Sequence, residues 1–183
     1  MHNSYPDENI LQSYPASCAI KCQQIILRDY GIDVSEEDLC RIAKENGGYD
    51  ENVGVYMHDN GKLLGCFDID YHHSQNNSLL DIVRELSYNH RIIVNVNKDI
   101  LYGKVKTYLH NEGNHAVIID EILGRNCTVR IIDTAIGDAR KTYPNELFCK
   151  AWKESAFYML TTEIPAAYKY DSLSKSMVSV ELE

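Results

Sequence analysis

The spacing of apolar residues changes once along this chain of 183 residues. In the first half it is helical. Cys22, Ile25, Ile26 and Tyr30 fall on one side of a stretch over 18–30, which Ser17 is placed to cap and Gly31 to stop. Ser35-Glu-Glu-Asp38 reads as a capping-box start for a second helix. That helix turns Leu39, Ile42 and Ala43 inward and ends at Gly47-Gly48. A third helix is expected over 53–64, weakened by Gly54 and Gly61, and a short alternating strand over 66–71. A fourth helix over 79–86, capped by Asn77 or Ser78, carries Leu79, Val83 and Leu86 as its stripe.

From residue 91 the period becomes two. Strands are expected over 91–97, 114–123 and 127–133, the last two joined by Gly124-Arg125-Asn126, a hairpin-turn signal. Pro144 opens a short helix through Trp152, and 157–161 is a final strand. Helices first and an antiparallel sheet second define an α+β fold, a helical part packed on a C-terminal sheet. Residues 1–165 read as one domain and 166–183 as a polar, flexible tail, while 1–12 look extended.

A net charge of −9 offers no basic stripe to neutralise phosphates, so no nucleic-acid partner is expected. The N-terminus has no signal-peptide pattern, and no run approaches the roughly 18 apolar residues of a membrane span. The expected location is the cytoplasm, or wherever a signal-independent route delivers the chain. Six cysteines (18, 22, 40, 66, 127 and 149) without a Cys-x-x-Cys pair predict reduced thiols rather than a disulfide framework or zinc site. His72 and His73 are adjacent on a strand and point to opposite faces, so no metal and no cofactor is expected.

The candidate chemistry centres on Cys18. A thiol in the first turn of a helix lies in positive potential, which favours the thiolate. Cys22, one turn deeper, loses that field and reads as inert core. Gln12 stands six residues ahead of Cys18 and can curl back across Pro15, offering its side-chain amide to an oxyanion beside the Cys18 N–H. His115 opens a buried strand, Ala-Val-Ile-Ile following, whereas His110 precedes a glycine-containing loop and His58, His72, His73 and His90 lie in helical or loop contexts. With a three-residue hairpin centred on Arg125, residue 117 faces 133, which sets His115 one diagonal step from Asp133 on the same face. Asp120 points the other way.

Together these residues resemble the bacteriocin-processing cysteine peptidases, the bacterial papain-like family that cleaves double-glycine leaders at the N-terminus of ABC exporters. The likeness spans roughly residues 8–162: Gln12 and Cys18; Ile-Leu-Arg-Asp-Tyr-Gly-Ile-Asp-Val-Ser-Glu-Glu-Asp-Leu (26–39); Asn-His115-Ala-Val-Ile-Ile; Ile-Ile-Asp133-Thr-Ala-Ile-Gly137; and Glu146-Leu-Phe-Cys-Lys-Ala-Trp152. It implies Cys18 as nucleophile, His115 as general base, Asp133 as orienting acid and Gln12 as oxyanion donor. The chain departs from the family at Ser17-Cys18-Ala19, where Asp-Cys-Gly is usual, and at Thr134, where proline is usual. A stand-alone peptidase without the transporter is expected, taking a peptide or protein substrate through a Cys18 thioester. An acyl transferase or transpeptidase, a toxin-type effector and a silent peptide-binding module are the alternatives. Loops 47–52, 72–77 and 99–113 are candidates for substrate contact.

Overall fold

The computed structural model describes residues 10–104, 115–124, 127–166, 168–171 and 176–179. Six strands form one antiparallel sheet: β1 (Tyr71–Ser74), β2 (Ile92–Val96), β3 (His115–Leu123), β4 (Thr128–Asp133), β5 (Asp138–Pro144) and β6 (Met159–Thr162), in the order β1-β6-β2-β3-β4-β5. Alternation along the strands divides the core in two. Ile93, Ala116, Ile118, Ile132 and Leu160 face α1 (Cys18–Asp29), α2 (Glu36–Glu45) and α3 (Lys62–Gly65). Ile92, Val94, Val117, Ile119, Val129 and Ile131 face α4 (Leu79–Ser87), α5 (Lys98–Leu101) and α6 (Asn145–Trp152). The fold is α+β as expected, but helices cover both faces of the sheet. That is why every residue of β2 is buried and its Ile-Ile-Val run does not alternate in polarity.

Helix α1 lies against β3 with Ile20, Ile26 and Leu27 fully buried. It ends where expected: Gly31 takes a positive φ of 79°, and the Ile32 N–H returns to the Leu27 carbonyl. Truncating Leu27 to alanine should cost about 2–5 kcal/mol. Helices α2 and α4 start on the expected caps. Ser35 Oγ accepts the Asp38 N–H, and Ser78 and Asp81 form a reciprocal box.

Other elements differ from expectation. The helix foreseen over 53–64 breaks into a 3₁₀ turn, Met57–Asp59, and α3. Gly61 between them has φ 101°, and a Cβ there would come within 2.5 Å of the Tyr71 ring. The strand foreseen over 66–71 begins only at Tyr71, because Asp68 turns the chain with φ 60°. On α4 the buried apolar residue is Ile82, and Val83 is 43% exposed. Strand β5 went unforeseen because Asp-Ala-Arg-Lys-Thr-Tyr-Pro is mostly polar, as suits a sheet edge. The last strand of the sheet starts at Met159 instead of 157, after left-handed turns at Ala156 and Phe157. Within the stretch read as a tail, β7 (Tyr168–Asp171) and β8 (Ser176–Ser179) pair as an antiparallel hairpin.

Residues 1–9, His110, Asn114, the 105–113 part of the candidate substrate loop, and the turn residues Arg125 and Asn126 lie outside the described residues. Among the described residues no helix is long and apolar enough to cross a membrane.

Candidate active site

His115 begins β3 and Asp133 ends β4, so antiparallel pairing puts both at the same end of the sheet. The ladder runs Leu123↔Thr128 to Glu121↔Arg130 near its turn, then shifts by one residue at Asp120 to give Ile119↔Ile131 and Ile118↔Ile132. The expected facing of 117 and 133 is the continuation of that second register. It comes from a β-bulge rather than from the turn itself. Asp120 stands at the bulge and pairs with Arg130, away from the imidazole.

The ring of His115 is 3% exposed and Asp133 is fully buried. His115 Nε2 lies 2.8 Å from Asp133 Oδ1. A carboxylate only accepts, so Nε2 carries the hydrogen and donates, leaving Nδ1 for the thiol. Cys18 lies at the start of α1, close enough to His115 for the two groups to shift each other's ionisation. Asp133 is saturated from other sides: Oδ1 also accepts the Ala135 N–H at 3.1 Å, and Oδ2 accepts the Tyr102 hydroxyl at 2.8 Å.

These contacts set the charges. Burial works against a Cys18 thiolate, but the hydrogen bond and charge of His115, with the Ala116 and Ala19 N–H groups, outweigh it and lower the thiol below its ordinary value. For His115, burial disfavours the imidazolium, yet Asp133 and Cys18 together raise it to about 9. Asp133 is lowered despite burial, by His115, Tyr102 and the Ala135 N–H. The lowered thiol and the raised imidazole both shift the pair toward thiolate and imidazolium. Cys22 shows the contrast. Burial drives its thiol well above the ordinary value, and it donates to the Ala116 carbonyl at 3.5 Å.

Gln12 is tied to the same end of the sheet. Its N–H bonds the Thr134 carbonyl at 2.9 Å, and its Oε1 accepts the Thr134 hydroxyl at 3.2 Å. Its Nε2 donates to the Tyr14 and Pro15 carbonyls at 2.7 and 3.0 Å, so reaching an oxyanion requires releasing one of these bonds. The other described histidines have partners elsewhere: His58 with Asp59, His72 with Glu163, His73 with the Asn60 carbonyl and His90 with Glu85. No cluster of three metal-ligating side chains occurs among the described residues.

Two contributors went unread in the sequence. Tyr102 sits just after α5, a four-residue helix inside what read as a loop. The signals were Asn97, whose Oδ1 accepts the Asp99 and Ile100 N–H groups, and Gly103, which takes φ 69°. Ser17, read as a helix cap, makes no capping bond; its hydroxyl donates instead to Glu36 at 2.6 Å. An open groove of about 450 Å³ begins beside this segment, lined by Tyr14, Pro15, Cys40, Arg41, Tyr49 and Glu51.

No protein-family profile and no curated protein matches this chain. Solved structures do. A putative C39-like peptidase from Bacillus anthracis superposes with a TM-score of 0.61 at 15% identity, over 85% of this chain and 92% of that one. The peptidase domain of Streptococcus ComA, a bifunctional ABC transporter involved in quorum sensing, gives 0.62 at 15% identity, over 85% and 96%. A double glycine motif protease from an AMS/PCAT transporter, solved with the leader peptide, gives 0.56 at 12% identity, over 88% and 91%. The chain therefore has the papain-like α+β fold of C39 peptidase domains, the fold that the resemblance implied.

Proposed function

We propose that this chain is a cysteine peptidase acting on a peptide segment. The observation that carries the reading is the placement of half-buried Cys18 beside the buried His115–Asp133 pair at the helix–sheet junction of a C39-type fold, with His115 Nε2 2.8 Å from Asp133 Oδ1. The neighbour solved with its leader peptide supports a peptide as partner.

In this mechanism the Cys18 thiolate attacks the scissile carbonyl carbon, forming a C–S bond as the π pair moves to oxygen. The Cys18 N–H and one released amide hydrogen of Gln12 take the oxyanion. Collapse breaks the C–N bond, and the His115 imidazolium protonates the leaving amine. Neutral His115 then draws a proton from water. The hydroxide adds to the thioester, and loss of the thiolate releases the acid and restores the ion pair. Asp133 keeps the ring oriented throughout.

The test is a mass-spectrometric screen of a peptide library with the wild type and Cys18→Ala. Products heavier in sum by one water, absent with Cys18→Ala, support hydrolysis. Products joined to an amine without that water indicate acyl transfer instead. Equal cleavage by both proteins would sink the reading.

A further inference from the structure

Three donors of the segment before the nucleophile, and a fourth on α1, converge on one buried carboxylate that the mechanism leaves unused. Glu36 is the first residue of α2, on the face that carries buried Leu39 and Ala43, and is 6% exposed. Its Oε1 accepts the Ser17 hydroxyl at 2.6 Å and the Ser13 N–H at 3.0 Å. Its Oε2 accepts the Ser13 hydroxyl at 2.9 Å and lies 3.3 Å from Lys21 Nζ, itself on a residue 5% exposed.

A buried ion pair of this kind adds little net stability over well-packed apolar residues, because desolvation offsets the attraction. Its contribution is geometric. Segment 13–17 joins Gln12 to Cys18 and forms no regular element of its own. One end is held at Thr134 through the Gln12 N–H, and Glu36 holds the rest against α2. Ser17 stays at the N-cap of α1, where its carbonyl accepts the Lys21 N–H at 2.8 Å, but its hydroxyl bonds Glu36 instead of capping the helix.

We propose that Glu36 is a positioning residue for the oxyanion hole. It fixes segment 13–17 between α2 and α1, and so sets where the Gln12 amide lies relative to the Cys18 N–H. The inference rests on the cysteine-peptidase reading for the use of the hole, but its test needs no natural substrate. N-acetylglycinal adds to a thiolate: Sγ bonds the aldehyde carbon, the π pair moves to oxygen, and the imidazolium supplies the proton of the hemithioacetal. That product uses the hole. Alkylation by iodoacetamide displaces iodide and does not.

Glu36→Gln should weaken N-acetylglycinal binding roughly 10- to 100-fold, the scale of a misplaced catalytic group. Cys18 alkylation should change less than about threefold, since the contacts of His115 are untouched. Gln12→Ala should show a similar aldehyde loss, and Gln12→Ala/Glu36→Gln no more than Gln12→Ala alone. Lys21→Met/Glu36→Leu, an apolar pair that keeps the fold, should lose aldehyde affinity likewise. Additive losses, a parallel fall in alkylation, an unchanged aldehyde affinity, or a wild type that does not bind the aldehyde would each overturn the proposal. Aldehyde binding that follows the expected pattern in a protein that cleaves no peptide would instead overturn the peptidase reading alone.

Discussion

His115 and Asp133 meet at 2.8 Å because the β3–β4 ladder shifts register by one residue at Asp120. Continued in the register of its turn, the ladder would set Thr134 where Asp133 stands, and the imidazole would face a hydroxyl instead of a carboxylate. The bulge thus converts a hairpin into an imidazole–carboxylate pairing.

Asp133→Asn keeps an acceptor for Nε2, because the Ala135 N–H holds the amide oxygen in place, but removes the charge that helps to raise His115. Turnover of a cleaved peptide should fall about 10- to 100-fold, the alkaline limb should move down from about 9, and the melting temperature should fall as well, as pH–rate profiles and thermal melts can show.

Tyr102→Phe removes one donor from the Asp133 carboxylate. A hydrogen bond to a charged group contributes about 1.5–3 kcal/mol, so the melting temperature should fall measurably. The carboxylate left short of a donor holds the imidazolium more tightly. The alkaline limb of activity should therefore move upward, and a pH–rate profile checks this.

The charges predict a plateau in kcat/KM. On the acid side activity falls as the Cys18 thiolate, whose thiol is lowered below its ordinary value, takes up a proton. On the alkaline side it falls through about 9, where His115 loses its proton. The stability signs follow. His115, raised on folding, contributes fully below its unfolded value near 6.5 and loses the contribution as pH climbs through about 9. Asp133, lowered on folding, contributes above the ordinary carboxylate value and loses the contribution as pH falls below it. Urea melts across pH should show both losses.

Gly61→Ala should destabilise the fold by about 2–4 kcal/mol, read from urea or thermal melts. The new methyl group meets the Tyr71 ring, and φ 101° is strained for any side chain.

Much of this was readable before the structure. Helical spacing and the Ser35 and Ser78 caps placed three of the helices, and alternation placed β3 and β4, because those elements obey local rules. The residues brought together at the sheet end were those singled out by type and spacing: Cys18, His115, Asp133 and, beside them, Gln12. What escaped was non-local. The helix over 53–64 failed at Gly61, whose φ of 101° and close approach to the Tyr71 ring come from the way β1 folds back on it, which helical periodicity does not report. Glu36 was absorbed into the Ser35 capping motif, although an acid on the inward stripe of Leu39 and Ala43 signals a buried partner. Tyr102 became visible only when α5 folded it over Asp133.

The most direct test of the thiolate–imidazolium pair is the rate of iodoacetamide labelling at each of the six cysteines across pH, in the wild type and in His115→Ala. Cys18 should label fastest and remain reactive below the ordinary thiol range, and His115→Ala should move its profile up into that range. A Cys18 that labels no faster than exposed Cys66 and Cys127, or whose profile ignores the loss of His115, would contradict the account.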